Sequence, residues 1–290
     1  MATSQQISRI NDVLYKIHRD ISADLSAVRL AGVAAYSEAH FHRVFHAVVG
    51  ETLNTYVRRT RLEQAANQLM FDRGSTVLEV AEKCGFASLA SFSHAFKARF
   101  GMPPGRWRAA DRRRSVPPYL DDTDIAAGYR RIQPIALPLP ELVTLPPQRV
   151  AYVRHLGYGR SIRLAWQTLQ AWAIAERRPF DKQLGLHHSN PAWVPLQQCR
   201  YVACLAIDEI VVRRGLVNSL TIPGGLHAAF ALQGQYGDLL PYLSKILHQW
   251  LPESGFKMQR TPAFVHYKKN HFLAADERFE LLFYLPVSIL

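Results

Sequence analysis

Side chains able to hydrogen-bond a base edge occur in two stretches of this sequence, each tied to the same apolar spacing. In Ser37-Glu-Ala-His-Phe-His-Arg-Val-Phe, Phe41 and Phe45 are four apart, which puts both on one face of a helix. If Ser37 caps that helix by accepting from its free amides, then Glu38, Ala39, His42 and Arg43 point outward. Arg43 carries a planar fork that can bond guanine O6 and N7 together, while His42 can donate or accept. In Ser88-Leu-Ala-Ser-Phe-Ser-His-Ala-Phe, the pair Phe92 and Phe96 leaves Leu89, Ala90, Ser91, Ser93 and His94 outward. These groups are small, apolar or limited to a single bond, so more base specificity is expected from the first stretch.

The elements that must hold these residues form an internal repeat. Leu30-Ala31 matches Val80-Ala81 and Tyr36 matches Phe86 at an offset of 50. Ser37, Phe41, Phe45 and Gly50 match Ser88, Phe92, Phe96 and Gly101 at an offset of 51, so one residue has entered the second turn. The shared alanine lets two helices approach closely, and the glycine ends the second helix. This is a helix-turn-helix pattern present twice. Helical spacing continues around it in Ile7, Ile10, Val13, Leu14 and Ile17, and in Leu53, Val57, Leu62, Ala65 and Leu69. Two outward helices in one chain would meet major grooves about one turn, roughly 34 Å, apart.

Composition agrees with a polyanionic partner. The 290 residues allow two cores, and the formal charge is +12. Residues 1–115 hold 17 Lys and Arg against 10 Asp and Glu, whereas the longer remainder holds 18 against 13, so the excess is denser at the amino end. Blander readings stand beside this. His42 and His46 have a zinc-compatible spacing but no third ligand, so no metal or cofactor is expected. Arg58, Arg59 and Arg61 are either a solvated face or phosphate contacts. Arg112–Arg114 reads as a solvated run, and His187-His188 as surface. Cys84, Cys199 and Cys204 read as reduced core residues, the last two on opposite faces of a strand.

From Arg112 to Pro140 prolines become dense, which predicts a linker with an edge strand and separates residues 1–112 from residues 141–290. Beyond it, apolar strands (Val150–Arg154, Tyr201–Leu205, Phe279–Tyr284) alternate with two amphipathic helices, an α+β pattern. This half repeats as well: Tyr158, Leu169 and Trp172 match Tyr236, Leu247 and Trp250 at an offset of 78. The fold expected is therefore multidomain, an all-α double helix-turn-helix followed by duplicated sheet-and-helix units. The opening MATSQQISRINDV has no charged-then-apolar leader, and the apolar stretch Ile132–Leu145 is broken by prolines. A cytoplasmic protein without membrane contact is expected.

Within residues 7–108, the paired Phe positions, RLEQAA, the GF turn, FSHAFK and the closing FG-x-x-P-x-x-W-R resemble the AraC/XylS family of bacterial transcription activators. That resemblance implies promoter DNA and RNA polymerase as partners. The stretch from GYGRSIRLAWQTLQAW through PGGLHAAFALQGQYGDL to FYLPV resembles the gyrase-inhibitor-like effector-binding domain, which implies a groove for a small molecule. Members of that family carry a buried glutamate in a Phe-Glu-x-Tyr strand. Here the stretch is Phe264-Val265-His266-Tyr267, so the resemblance implies a groove suited to neutral or acidic ligands rather than lipophilic cations. Its aromatic walls are expected among Trp166, Trp193, Phe230 and Tyr267, with Glu280 as the one acid able to stand in for the missing carboxylate. Two rival classes remain for this half, a small hydrolase and a ligand-free protein-interaction module. A hydrolase needs a positioned base and a nucleophile motif, and no serine motif, phosphate loop or HExxH is present.

Overall fold

The computed structural model describes residues 2–72, 74–110, 118–209 and 216–290; the run Arg112–Arg114 lies outside them. Two compact units result, the first comprising Met1–Ala110 with the described part of Val212–Asn218, and the second comprising Ser219–Leu290 with the described part of Asp111–Val211.

The first unit is helical: α1 (Ser4–Arg19), α2 (Ala27–Val33), α3 (Glu38–Val49), α4 (Leu53–Phe71), α5 (Val77–Lys83), α6 (Leu89–Phe100) and α7 (Pro104–Ala109). Ile10, Val13, Ile17, Leu30, Phe41, Phe45, Leu53 and Tyr56 share one core. The ring of Phe45 meets those of Phe41 and Tyr56 edge-on at 5.7 and 5.8 Å. In the second half, Phe96 meets Phe92 at 5.4 Å and Trp107 at 5.5 Å. Trp107 also donates its indole N–H to the Ala66 carbonyl at 3.2 Å, which ties α7 to α4. Gly50 and Gly101 end α3 and α6 in the left-handed conformation, as the repeat requires. The caps differ, however. Ser88 accepts from the Ser91 amide at 3.2 Å, whereas the Ser37 side chain makes no capping bond and only its carbonyl accepts, from the Phe41 amide at 2.8 Å.

The second unit contains α8 (Thr123–Ile132), β1 (Glu141–Leu145), β2 (Gln148–Leu156), α9 (Ile162–Ala175), β3 (Gln183–His187), β4 (Arg200–Ala206), β5 (Asn218–Ile222), β6 (Gly225–Gln235), α10 (Leu239–Lys245), β7 (Phe256–Met258), β8 (Ala263–Lys269) and β9 (Arg278–Ile289). The sheet order is β1-β6-β9-β8-β3-β4-β2-β5, with β7 added on β9. That order reads as a palindrome of two copies. β1, β2, β3 and β4 of the first copy answer β5, β6, β8 and β9 of the second, trailing by close to the 78 residues between the matched tyrosines. Each copy sends its short first strand across to the other: β1 pairs with β6, and β5 with β2. The copies meet where β3 and β8 run antiparallel, with Gly185 opposite Val265.

The proline-rich stretch read as a linker contains α8. Its prolines flank the segment Thr123–Ile132, which has none, and the Asp122 carboxylate caps it by accepting from Asp124 and Ile125. Arg131 grips the buried carboxylate of Asp238 at 2.7 and 3.0 Å just before α10. The Lys245 ammonium binds the Ile132, Gln133 and Ile135 carbonyls at the same, carboxy-terminal end of α8. Cys84, Cys199 and Cys204 are buried and not disulfide-bonded, with Cys199 just ahead of β4 rather than within it.

Candidate functional site

In the first unit, packing fixes which helix faces are offered to a partner. Phe41 and Phe45 are fully buried, and this turns Glu38, Ala39, His42 and Arg43 to solvent, all exposed. Arg43 lies 3.5 Å from the His40 ring, and His42 lies 3.8 Å from Glu38. On α6, buried Phe92 and Phe96 leave Leu89, Ala90, Ser91 and His94 exposed and Ser93 half-exposed. The Ser91 hydroxyl is engaged with the Ser88 carbonyl at 2.9 Å, so it is a weaker reader than its exposure suggests. Among the described residues, no group of three His, Cys, Asp or Glu could hold a metal ion.

The three arginines of α4 separate. Arg58 is exposed. Arg59 is bound by Glu51 and, at 2.9 Å, by Glu63, an ion triad that keeps the guanidinium charged against the cost of its burial. Arg61 donates to the Ile21 and Ala23 carbonyls at 3.0 and 3.2 Å. Neither Arg59 nor Arg61 is therefore a solvated face. Glu63 is the i,i+4 neighbour of Arg59 on α4, a pairing that helical spacing offers, whereas the Arg61 acceptors precede it by 40 and 38 residues, beyond any local pattern. Arg9 is a further residue that the sequence reading did not single out. It donates to the Ala34 and Ala35 carbonyls at 3.2 and 3.1 Å and lies over the Tyr36 ring, bracing the first turn from α1.

In the second unit, cross-strand partners share a face of the sheet. One row runs Phe230, Phe283, Val265, Gly185, Ala203 and Val153 across β6, β9, β8, β3, β4 and β2. Both helices cover this face. Trp166 of α9 meets Tyr267 edge-on at 5.7 Å, and Trp250, in the π-helical turn after α10, meets Phe230 at 5.1 Å. Trp166, Phe230, Val265 and Tyr267 are thus buried on one side of the sheet. Trp193 sits half-buried in a turn outside the strands. Glu280 does not lie on this face. It alternates to the opposite face from Phe283, is exposed, and pairs with Lys268 at 3.2 Å, so it does not replace the missing carboxylate.

At the centre, Gly185 is opposite Val265 for a steric reason. A Cβ there would lie 2.2 Å from the Tyr201 hydroxyl. That hydroxyl bonds Tyr267 at 3.2 Å, so a pair of phenols occupies the ground beside Val265. Burial pushes the Tyr201 and Tyr267 hydroxyls well above the usual tyrosine range. His187 is also not the surface residue expected. Both its ring nitrogens are shut off from solvent without a hydrogen-bond partner among the described residues, and Tyr158 and Tyr201 approach edge-on at 5.4 Å. Desolvation lowers its pKa to about 4, and that of buried His271 nearby to about 3. Both imidazoles are neutral near pH 7, each with one donor and one acceptor nitrogen.

Two tandem helix-turn-helix units, each with an exposed second helix, followed by a duplicated sheet whose helices share one face, define a DNA-binding regulator with an appended small-molecule-binding fold. Comparison with known proteins agrees at both ends. Residues 139–288 match the GyrI-like small molecule binding domain, and residues 30–110 match a helix-turn-helix domain. The probable transcriptional regulator LumQ of Photobacterium leiognathi is 35% identical over 106 residues, 36% of this chain and 42% of LumQ. The transcriptional activator AarP of Providencia stuartii is 35% identical over 109 residues, 38% of this chain and 80% of AarP. The Transposon Tn10 TetD protein of Escherichia coli is 37% identical over 99 residues, 34% of this chain and 71% of TetD. The chain belongs to the AraC/XylS-type helix-turn-helix transcription regulators that carry a carboxy-terminal GyrI-like domain. Among the described residues, no helix is long and apolar enough to cross a membrane.

Proposed function

We propose that this regulator reads double-stranded promoter DNA by inserting α3 and α6 into successive major grooves, acts with RNA polymerase in the cytoplasm, and binds a neutral or acidic effector on the helix-covered face of its second unit. The observation that carries the DNA reading is the paired geometry. Each of two helices in one chain buries a phenylalanine pair and turns positions before and between the pair outward, Glu38, Ala39, His42 and Arg43 on one and Leu89, Ala90, Ser91, half-exposed Ser93 and His94 on the other. In this proposal residues 1–112 serve DNA and residues 141–290 serve the effector, with α8 on the effector side.

Support for a neutral or acidic effector comes from the chemistry around Val265. Trp166, Phe230 and Tyr267 supply apolar area. Tyr201, His187 and His271 supply uncharged hydrogen-bonding groups and no carboxylate to attract a cation. Footprinting the full chain on a selected duplex tests the DNA half: two protected major-groove patches about one turn, roughly 34 Å, apart are expected, and a single patch contradicts it. A thermal-shift screen tests the effector half. A true ligand at a hundred times its Kd should stabilise the protein by about 2.7 kcal/mol, and preference for lipophilic cations contradicts the assignment.

A further inference from the structure

One side chain touches both halves of the first unit. Arg61 leaves the middle of α4 and donates from Nε to the Ile21 carbonyl at 3.0 Å and from Nη2 to the Ala23 carbonyl at 3.2 Å. Those carbonyls lie in the connection between α1 and α2, beside Ile21 and Leu25 of the first core. The same guanidinium lies against Gly85, the turn residue between α5 and α6. A Cβ on Gly85 would stand 2.8 to 3.0 Å from three guanidinium atoms, and Gly85 has a φ of +77° that favours glycine in any case. The arginine thus holds the first helix-turn-helix unit by two hydrogen bonds and abuts the turn of the second.

Its chemistry suits a brace. The guanidinium is half-buried, its carbonyl partners carry no charge, and its fork spans two acceptors at once. Rotating the first unit about α4 breaks the carbonyl bonds, and rotating the second drives its turn into the guanidinium plane. Phe41 and Phe45, and Phe92 and Phe96, fix each recognition helix within its own unit. Arg61 fixes one unit against the other. We propose that Arg61 is a positioning residue that sets the separation of α3 and α6, and hence the half-site spacing the protein accepts. This rests on the proposed reading that both helices enter DNA.

Arg61 also lines a groove of about 730 Å³ with Ser22, Ser26, Arg58, Phe86 and Ser91, so direct contact with a phosphate is the competing role. Anisotropy titrations of the full chain separate the two. The duplexes carry the selected half-sites at native spacing, at spacings one base pair longer or shorter, and as single half-sites, each over a range of salt. Wild type should lose affinity about tenfold or more for each shifted spacing, the scale of a lost bidentate base contact. In Arg61→Ala that penalty should shrink to about threefold or less, while single half-sites bind as in wild type. A spacing penalty equal to wild type overturns the proposal. With a salt slope reduced by about one it identifies a phosphate contact instead. If Arg61→Ala does not fold, Arg61→Lys, which keeps the charge and loses the fork, should relax the spacing penalty partway; an unchanged penalty again overturns it. Wild type that binds no duplex specifically would instead remove the DNA reading itself.

Discussion

Arg43 and His94 occupy corresponding exposed faces of α3 and α6, but they offer a base edge different chemistry. Arg43 supplies two parallel donors, whereas His94 supplies one bond whose direction depends on its tautomer. Arg43→Ala should cost about 1–3 kcal/mol at one base position and relax preference there, and His94→Ala less. Selection of binding sites with both variants checks this, and equal impairment contradicts the ranking of the helices. Val265 carries a second prediction. A carboxylate at this buried position gains strongly from a paired charge, so Val265→Glu should bind a lipophilic cationic dye at least about tenfold better than wild type and melt lower without it. Tight dye binding by wild type, or no gain in the variant, contradicts the assignment of this face. His187 gives a third. Its pKa is depressed to about 4 in the fold against an ordinary 6.5, so protons bind the unfolded chain first as pH falls. Its contribution to stability is therefore intact above about pH 6.5 and is lost between there and pH 4, on the order of 2–3 kcal/mol. Denaturant midpoints at pH 7 and pH 5 should show a smaller drop in His187→Phe than in wild type; parallel drops contradict the burial of this ring.

Among the elements, the two turns solve one geometric problem differently. Gly85 occupies the second turn at a φ of +77°, and Ala35 occupies the corresponding place in the first at +53°, a conformation that disfavours a Cβ. Arg9 braces that turn by binding the Ala34 and Ala35 carbonyls. Ala35→Gly should raise stability by up to about 1 kcal/mol, measured by denaturant unfolding, and a loss would show that the Ala35 side chain contributes packing of its own. The offset of 50 before the turns and 51 after them made both helix-turn-helix units legible in the sequence, because apolar spacing and terminal glycines are local signals. Ser37 shows where local reading stops. A serine at the capping place does not by itself make the capping bond, which depends on the side-chain rotamer the surroundings allow. The helix α8 was hidden by prolines that flank it without entering it. Its anchors, Asp238 and Lys245, come from more than a hundred residues away.

For the whole molecule, the duplication that the matched tyrosines announced is visible in the palindromic strand order, but the exchange of β1 and β5 between copies is not a property of spacing. That exchange covers the two edges, β2 and β6, that remain unpaired once β3 and β8 join the copies. The side chains that converge beside Val265 were legible in part. Trp166, Phe230 and Tyr267 are legible as aromatics in strands and helices, whereas His187 and Tyr201 need the strand register that places them, and His271 the turn after β8. The charge excess toward the amino end has its consequence at this scale too, because phosphate contacts release counterions together. In the proposed function the full chain grips duplex DNA through several such contacts while two helices read the bases. The most direct measurement is the affinity of the full chain for a selected duplex as salt is raised from about 50 to 200 mM. With six or more phosphate contacts, log affinity should fall linearly with log salt, by on the order of 10³ over that range. Affinity that is indifferent to salt, or absent at the lowest salt, would contradict it.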